Sequence, residues 1–170
     1  MPTEPDNPSA GAFGAIHRAA HFQWRRVAAA LQPGVPPIDI VTRYWDEVGI
    51  STARAYRDGV AASADPAEAL AAAIVESSTV MGETAAVVRL EDGAAAVRHT
   101  ACPWLEAHRK RGLLSECRPG CDAWFNSTAR TLTELTGIPL KVETLQTMPD
   151  GDNACVRRVT SAAERNGDSP

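Results

Sequence analysis

The 170 residues contain no run long and apolar enough to cross a membrane. They also lack the basic stripe that a nucleic-acid partner would require. The net charge is −4, and the arginines are scattered rather than clustered on one face. There is no internal repeat, phosphate-cradling glycine loop or serine-elbow motif. The opening Met-Pro-Thr-Glu-Pro-Asp-Asn-Pro has neither a basic region nor an apolar core, so a cytoplasmic protein is expected, with no membrane and no nucleic acid among its partners. In a reducing compartment, four cysteines point to buried thiols, a metal site or catalysis rather than a disulfide framework.

What the chain does have is a thiol-rich stretch from His99 to Asp122, carrying Cys102, Cys117 and Cys121, with Cys155 following the turn at Pro149-Asp150-Gly151. Pro103 suits a first helical position, which makes Cys102 the N-cap of a helix ending at Gly112. Cys121, after Pro119-Gly120, is expected to open a second helix along Phe125, Thr128, Leu132 and Leu135. At a helix start, unpaired N–H groups and the positive dipole end favour thiolate over thiol.

The rest of the chain frames that stretch. Residues 1–9 and 163–170 read as disordered arms around a single domain over 10–162. Phe13, Ile16, Ala20, Trp24, Val27 and Leu31 repeat at helical intervals up to Pro33-Gly34. His17 and His21 share a face of this helix, but without a carboxylate between them they read better as surface or groove residues than as ligands. A second helix starts at Pro37, with a break expected at Gly49 before Ser51 restarts it towards Val60. Tyr44 and Trp45 on it are candidates to line a ligand pocket or to pack the core. Asp65, Pro66 and Glu68 predict a capping box for a third, alanine-rich helix.

The period then shifts to that of strands. Residues 85–90 and 94–101 flank Glu91-Asp92-Gly93, and 138–148 pairs with 154–160 across a second turn. The fold class is therefore α+β: N-terminal helices packed on a small antiparallel sheet of about four strands in two hairpins, with intervening helices. Asp152 reads as a turn residue.

The set Cys102-Pro103-Trp104, Cys117, Cys121-Asp122, Phe125-Asn126, Gly151-Asp152 and Cys155 resembles the L-2-amino-thiazoline-4-carboxylate hydrolase-like family over the second half of the chain. The resemblance implies a small cytoplasmic α+β protein acting on a C–N or C–S bond of a small heterocyclic or amino-acid-derived substrate, opening a ring or closing one in biosynthesis. The cysteine spacing is also distantly similar to the vinyl-4-reductase type of ligand-sensing domain, in which cysteines can hold a structural metal.

Three readings of the cysteines follow. In the first, Cys102 or Cys121 is a nucleophile, Asp122 or His99 moves protons, and Trp104, Trp124, Asn126, Cys155, Tyr44 and Trp45 bind the substrate. In the second, zinc is held by Cys102, Cys117, Cys121 and Cys155, or with His99 or His108 replacing one, although Cys-x3-Cys is not the sharp Cys-x2-Cys knuckle. The third has inert buried thiols in a binding domain. No cofactor beyond that zinc is expected. The partners expected are a small-molecule substrate and, left open, a homo- or hetero-oligomer.

Overall fold

The computed structural model describes residues 8–161; residues 1–7 and 162–170, which hold most of the expected N-terminal arm and the whole tail, lie outside it. Pro8 and Ser9, assigned to the arm by sequence, instead form the first turn of α1 (Pro8–Leu31). α2 (Pro37–Ala61) and α3 (Pro66–Val80) follow, then a hairpin of β1 (Thr84–Arg89) and β2 (Ala95–Ala101). Two helices, α4 (Pro103–Arg111) and α5 (Leu114–Thr136), lead to a second hairpin of β3 (Leu140–Gln146) and β4 (Cys155–Ser161). A 3-10 turn at Met148–Asp150 lies between those last two strands. The α+β class and both hairpins expected from the sequence are present. Among the described residues, no helix is long and apolar enough to cross a membrane.

All pairings in the sheet are antiparallel and the strand order is β1-β2-β4-β3, so the two hairpins join through their second strands. This junction sets the site, because the β2–β4 register puts His99 opposite Cys155 and Val97 opposite Arg157. Strand alternation then sends Val97 and His99, together with Cys155, Arg157 and Val159, to the same face. That face is covered by helices. Leu70 and Ile74 of α3, Leu132 of α5 and Val97 and Val159 of the sheet form the fully buried core with Phe125 and Ala53. Ala96, Ala154 and Val156 make a smaller apolar cluster on the opposite face.

Two helices depart from the sequence expectation for packing reasons. α2 does not break at Gly49. A Cβ there would lie 1.9 Å from Ser127 Oγ and 2.7 Å from the Trp124 carbonyl oxygen, so the glycine permits close contact between α2 and α5 rather than ending a helix. Ser127 Oγ donates to the Asp46 carbonyl at 2.9 Å in the same contact. Likewise, α5 does not begin at Cys121. It starts at Leu114 and runs through Pro119, and its first turns bury Glu116, Cys117 and Gly120. Proline in that position removes one N–H and crowds the preceding turn; tertiary burial outweighs the local signal.

At α3, Asp65 caps as expected, accepting from the Glu68 N–H at 2.9 Å. The Glu68 side chain completes no capping box, since it pairs with Arg89. α4 has the expected bounds: Cys102 is its N-cap, and Gly112 ends it in the left-handed region at φ 68°.

Candidate functional site: a thiol-ended cavity

A cavity of about 350 Å³ lies between α2, α3, α4 and α5 and the helix-covered face of β2 and β4. Its apolar walls come from Trp45, Val48 and Tyr56 of α2, Trp104 of α4, and Trp124 and Phe125 of α5. Polar atoms on these walls are mostly tied to one another: Trp124 Nε1 donates to Thr52 Oγ1 at 3.1 Å, and Tyr56 and Ser77 share a hydrogen bond. All four cysteines, His99, Glu83, Ser78 and Arg157 line the same space. The cavity is thus apolar over most of its lining, with a cluster of thiols and ionisable groups among the aromatic rings.

The sheet and the α3–β1 junction position this cluster. His99 Nε2 lies 2.9 Å from Ser78 Oγ and 3.2 Å from the Glu83 carboxylate. Burial pushes the imidazole pKa down to about 4, with Arg157 adding to the effect, so the ring is neutral at pH 7. A neutral ring donating from Nε2 leaves Nδ1 as a bare acceptor, and that buried atom has no partner. Burial, reinforced by the Cys121 charge, pushes the Glu83 carboxyl up to about 7.

Arg157 is the fixed positive charge of the site. Its side chain is 3% exposed, and its guanidinium stacks over Phe125 at 4.3 Å and reaches Asp122 Oδ1 at 3.3 Å. Its buried Nε has no hydrogen-bond partner.

The thiols are not equivalent. Cys121 and Cys117, one helical turn apart on α5, share a hydrogen bond that lowers the Cys121 thiol to about 7 and raises that of Cys117; Arg157 also favours the Cys121 thiolate. Cys102, despite its helix start, is raised strongly by burial and by the charges of Glu83 and Cys121. The helix-dipole argument therefore fails at both positions: burial outweighs it at Cys102, and Cys121 is not at a helix start. Cys155 is also raised by burial, and its sulfur accepts from the Met148 N–H at 3.3 Å. Among the described residues, no three His, Cys, Asp or Glu side chains are arranged to hold a metal ion, so the zinc reading draws no support from the geometry.

Of the residues proposed from sequence, Cys102, Cys121, His99, Trp104, Trp124, Cys155, Cys117 and Trp45 come together on this wall. Three do not. Asp122 stands outside the cavity, accepting from Thr144 Oγ1 at 2.8 Å and pairing with Arg118 and Arg157, so it touches the site only through Arg157. Asn126 is exposed. Tyr44 is held outside the wall between the rings of Trp24 and Trp45, at 4.5 and 5.3 Å. Asp152 is a turn residue as expected, accepting from the Thr147 N–H at 2.7 Å.

Glu83, Ser78 and Arg157 were not singled out by sequence. Arg157 was within reach, since it alternates with Cys155 and Val159 on one strand face. Glu83 precedes its strand and carries no comparable signal. His17 lines the cavity, whereas His21 is buried among the rings of Phe22, Tyr44, Trp45, Trp104 and His108 with both ring nitrogens unpartnered.

No family model matches the chain, and no curated protein matches it. Among solved structures, it is similar to a trafficking protein particle complex subunit 3 from Naegleria fowleri covalently bound to palmitic acid. The TM-score is 0.51 at 12% identity, over 85% of this chain and 93% of that one. Similarity is weaker to an H-NOX protein from S. oneidensis in the Fe(II)NO ligation state, with TM-score 0.46 and 14% identity over 81% and 71% of the two chains. It is also weaker to the phenol-responsive sensory domain of the transcription activator PoxR with phenol, with TM-score 0.47 and 13% identity over 92% and 75%. The first likeness is one of fold alone.

Proposed function

We propose that this chain is a binding domain for a small, largely apolar ligand with one anionic or hydrogen-bonding head, the sensor-like alternative to an enzyme. The observation that carries the reading is the make-up of the cavity lining: Trp45, Val48, Tyr56, Trp124 and Phe125 suit an apolar body, and the buried Arg157 and His99 on the same lining suit one polar or anionic head. In a lining this apolar, one guanidinium suffices to orient an anionic head by charge and hydrogen bonding. A volume near 350 Å³ is at the small end of ligand pockets, which fits a single ring or a medium chain rather than a nucleotide cofactor.

A second reading is favoured by the Cys121 thiol, whose hydrogen bond with Cys117 and proximity to Arg157 favour the thiolate inside the same space. There the Cys121 thiolate would add to the carbon of a C=N group in the bound molecule, the π electron pair passing to nitrogen, which takes its proton from the Glu83 carboxyl held protonated by burial on the same lining. The likeness to thiazoline-carboxylate hydrolases belongs with this reading.

The test is titration of the full chain with octanoate, octanol and benzoate, followed by quenching of tryptophan fluorescence, since three of the four tryptophans line the cavity. Val48→Trp, which fills the space, should lose the response at least tenfold, and Arg157→Met should weaken the two carboxylates but not octanol. An unchanged response in Val48→Trp would overturn the binding reading. Hydrolysis of a thiazoline carboxylate that disappears in Cys121→Ser would favour the second.

A further inference from the structure

α1 turns most of its large apolar side chains away from the rest of the chain. Towards the fold it buries His21 and Phe22, while Arg18 donates to the Met81 carbonyl at 2.8 Å and Arg25 Nε to Glu116 at 2.6 Å. The apolar residues that predicted the helix face outward. Phe13 is 56% exposed, Ile16 69%, Trp24 40%, Val27 52% and Leu31 77%, with exposed Ala20 completing the stripe. An amphipathic helix normally buries its apolar stripe, and an exposed contiguous patch marks an interaction surface.

We infer that this stripe is the interface of a two-fold dimer in which α1 packs antiparallel against α1 of a second copy. Three features select a second copy as the occupant. First, the stripe is close to palindromic about position 22: Phe13 and Leu31 are equidistant from it, as are Ala20 and Trp24, and Ile16 and Val27 are offset by a single residue. An antiparallel two-fold axis there brings Phe13 to Leu31, Ile16 to Val27 and the large Trp24 to the small Ala20 of the partner, which is the self-complementarity an isologous contact requires.

Second, the stripe is long: Phe13, Ile16, Trp24, Val27 and Leu31 are 40–77% exposed over about five turns. Only a partner running the whole length of α1, as a second α1 does, approaches the roughly 1,200 Å² at which specific interfaces begin. Third, the chain's own remaining residues do not suit the stripe, since 1–7 and 162–170 contain Met1 as their one large apolar side chain. The inference does not depend on what the cavity binds.

Sedimentation equilibrium of the full chain tests it, because the mass should rise from 18.1 kDa towards twice that value as concentration reaches about 100 μM. Ile16→Glu and Val27→Glu should each remove the dimer, with the thermal midpoint and helical circular dichroism of the monomer kept, because both sites are exposed within one chain. Ala20→Trp should also block association, and adding Trp24→Ala should restore it by exchanging the large and small members of the contact. A wild-type chain that stays monomeric, whether or not another protein binds the stripe, overturns the inference. So does a dimer that survives both glutamate variants, or an Ala20→Trp, Trp24→Ala double variant that remains monomeric.

Discussion

The two ends of the helix-covered sheet face follow opposite rules. Towards Val159 and Leu140, aliphatic side chains of α3, α5 and the strands pack together; Leu70, Ile74, Leu132, Val97 and Val159 are fully buried with no polar atom to satisfy. Towards Cys155, the same strands carry His99 and Arg157, and α5 carries Cys117 and Cys121, around an open space with unpartnered nitrogens. One sheet and one helix thus serve as core over part of their length and as site over the rest. The first region holds the fold together, and the second spends some of that stability on groups suited to a ligand.

Substitutions that separate the two regions test this division. Leu132→Ala is expected to have the largest effect on stability, about 3 to 4 kcal/mol, because a fully buried side chain leaves a cavity. Chemical denaturation would measure it, and the Cys121 thiol should titrate as before in the variant. Gly49→Ala comes next, at about 2 kcal/mol, because its Cβ overlaps Ser127 and the backbone at Trp124. The clash would also displace Trp124, so this variant should disturb both regions at once. Undiminished tryptophan quenching by octanoate in it would show them to be less connected than the α2–α5 contact implies.

A smaller stability effect, near 1 kcal/mol, is expected for Arg157→Met, which keeps an apolar stem against Phe125. Its main consequence should be chemical. The rate of Cys121 alkylation by iodoacetamide, followed against pH in a Cys102→Ala, Cys155→Ala background, should shift to higher pH when the guanidinium is gone. An unshifted profile would remove Arg157 as a cause of the lowered thiol.

The last effect is one of slope against pH rather than of stability at a single pH. Glu83 has a folded pKa of about 7 against 4.5, so the folded state holds its proton where the unfolded chain has lost it; the stability it confers is full below 4.5 and is lost as pH rises to about 7. His99 and His21, held down to about 4 from 6.5, act oppositely: their contribution is full above 6.5 and is lost as pH falls to about 4. Glu83→Gln leaves only the histidine slope, so between pH 4.5 and 6.5 its stability should climb more steeply with pH than that of the wild type. Equal slopes in urea titrations across that window would show that Glu83 ionises normally.

Some features were legible because they are local. The helix start at Cys102-Pro103 and its end at Gly112, the cap at Asp65 and both hairpins follow from capping, φ preference and alternation, which act within a few residues. Cys102, Cys121 and Cys155 meet His99, Trp104 and Trp124 as expected from two helix starts facing the strand of Cys155, although Cys121 lies inside α5 and Asp122 stays outside the cavity. Other features depended on neighbours distant in sequence. Gly49 and Pro119 resemble helix breaks, yet α2 and α5 run through them because each helix buries the other.

Thiol acidity was misassigned for the same kind of reason. A helix dipole can be read from sequence, whereas the burial that raises Cys102 and the Cys117 and Arg157 neighbours that lower Cys121 exist only after folding. Asp122 was expected at the site as a proton carrier, Asn126 through the family resemblance and Tyr44 as an aromatic, but a helix turns successive side chains to different faces. The sequence by itself determined that α1 is an amphipathic helix, because periodicity is a property of spacing. Which way its apolar face points was decided only in the tertiary structure, where the Arg25 pair with Glu116 and the aromatic nest around His21 hold the polar side inward.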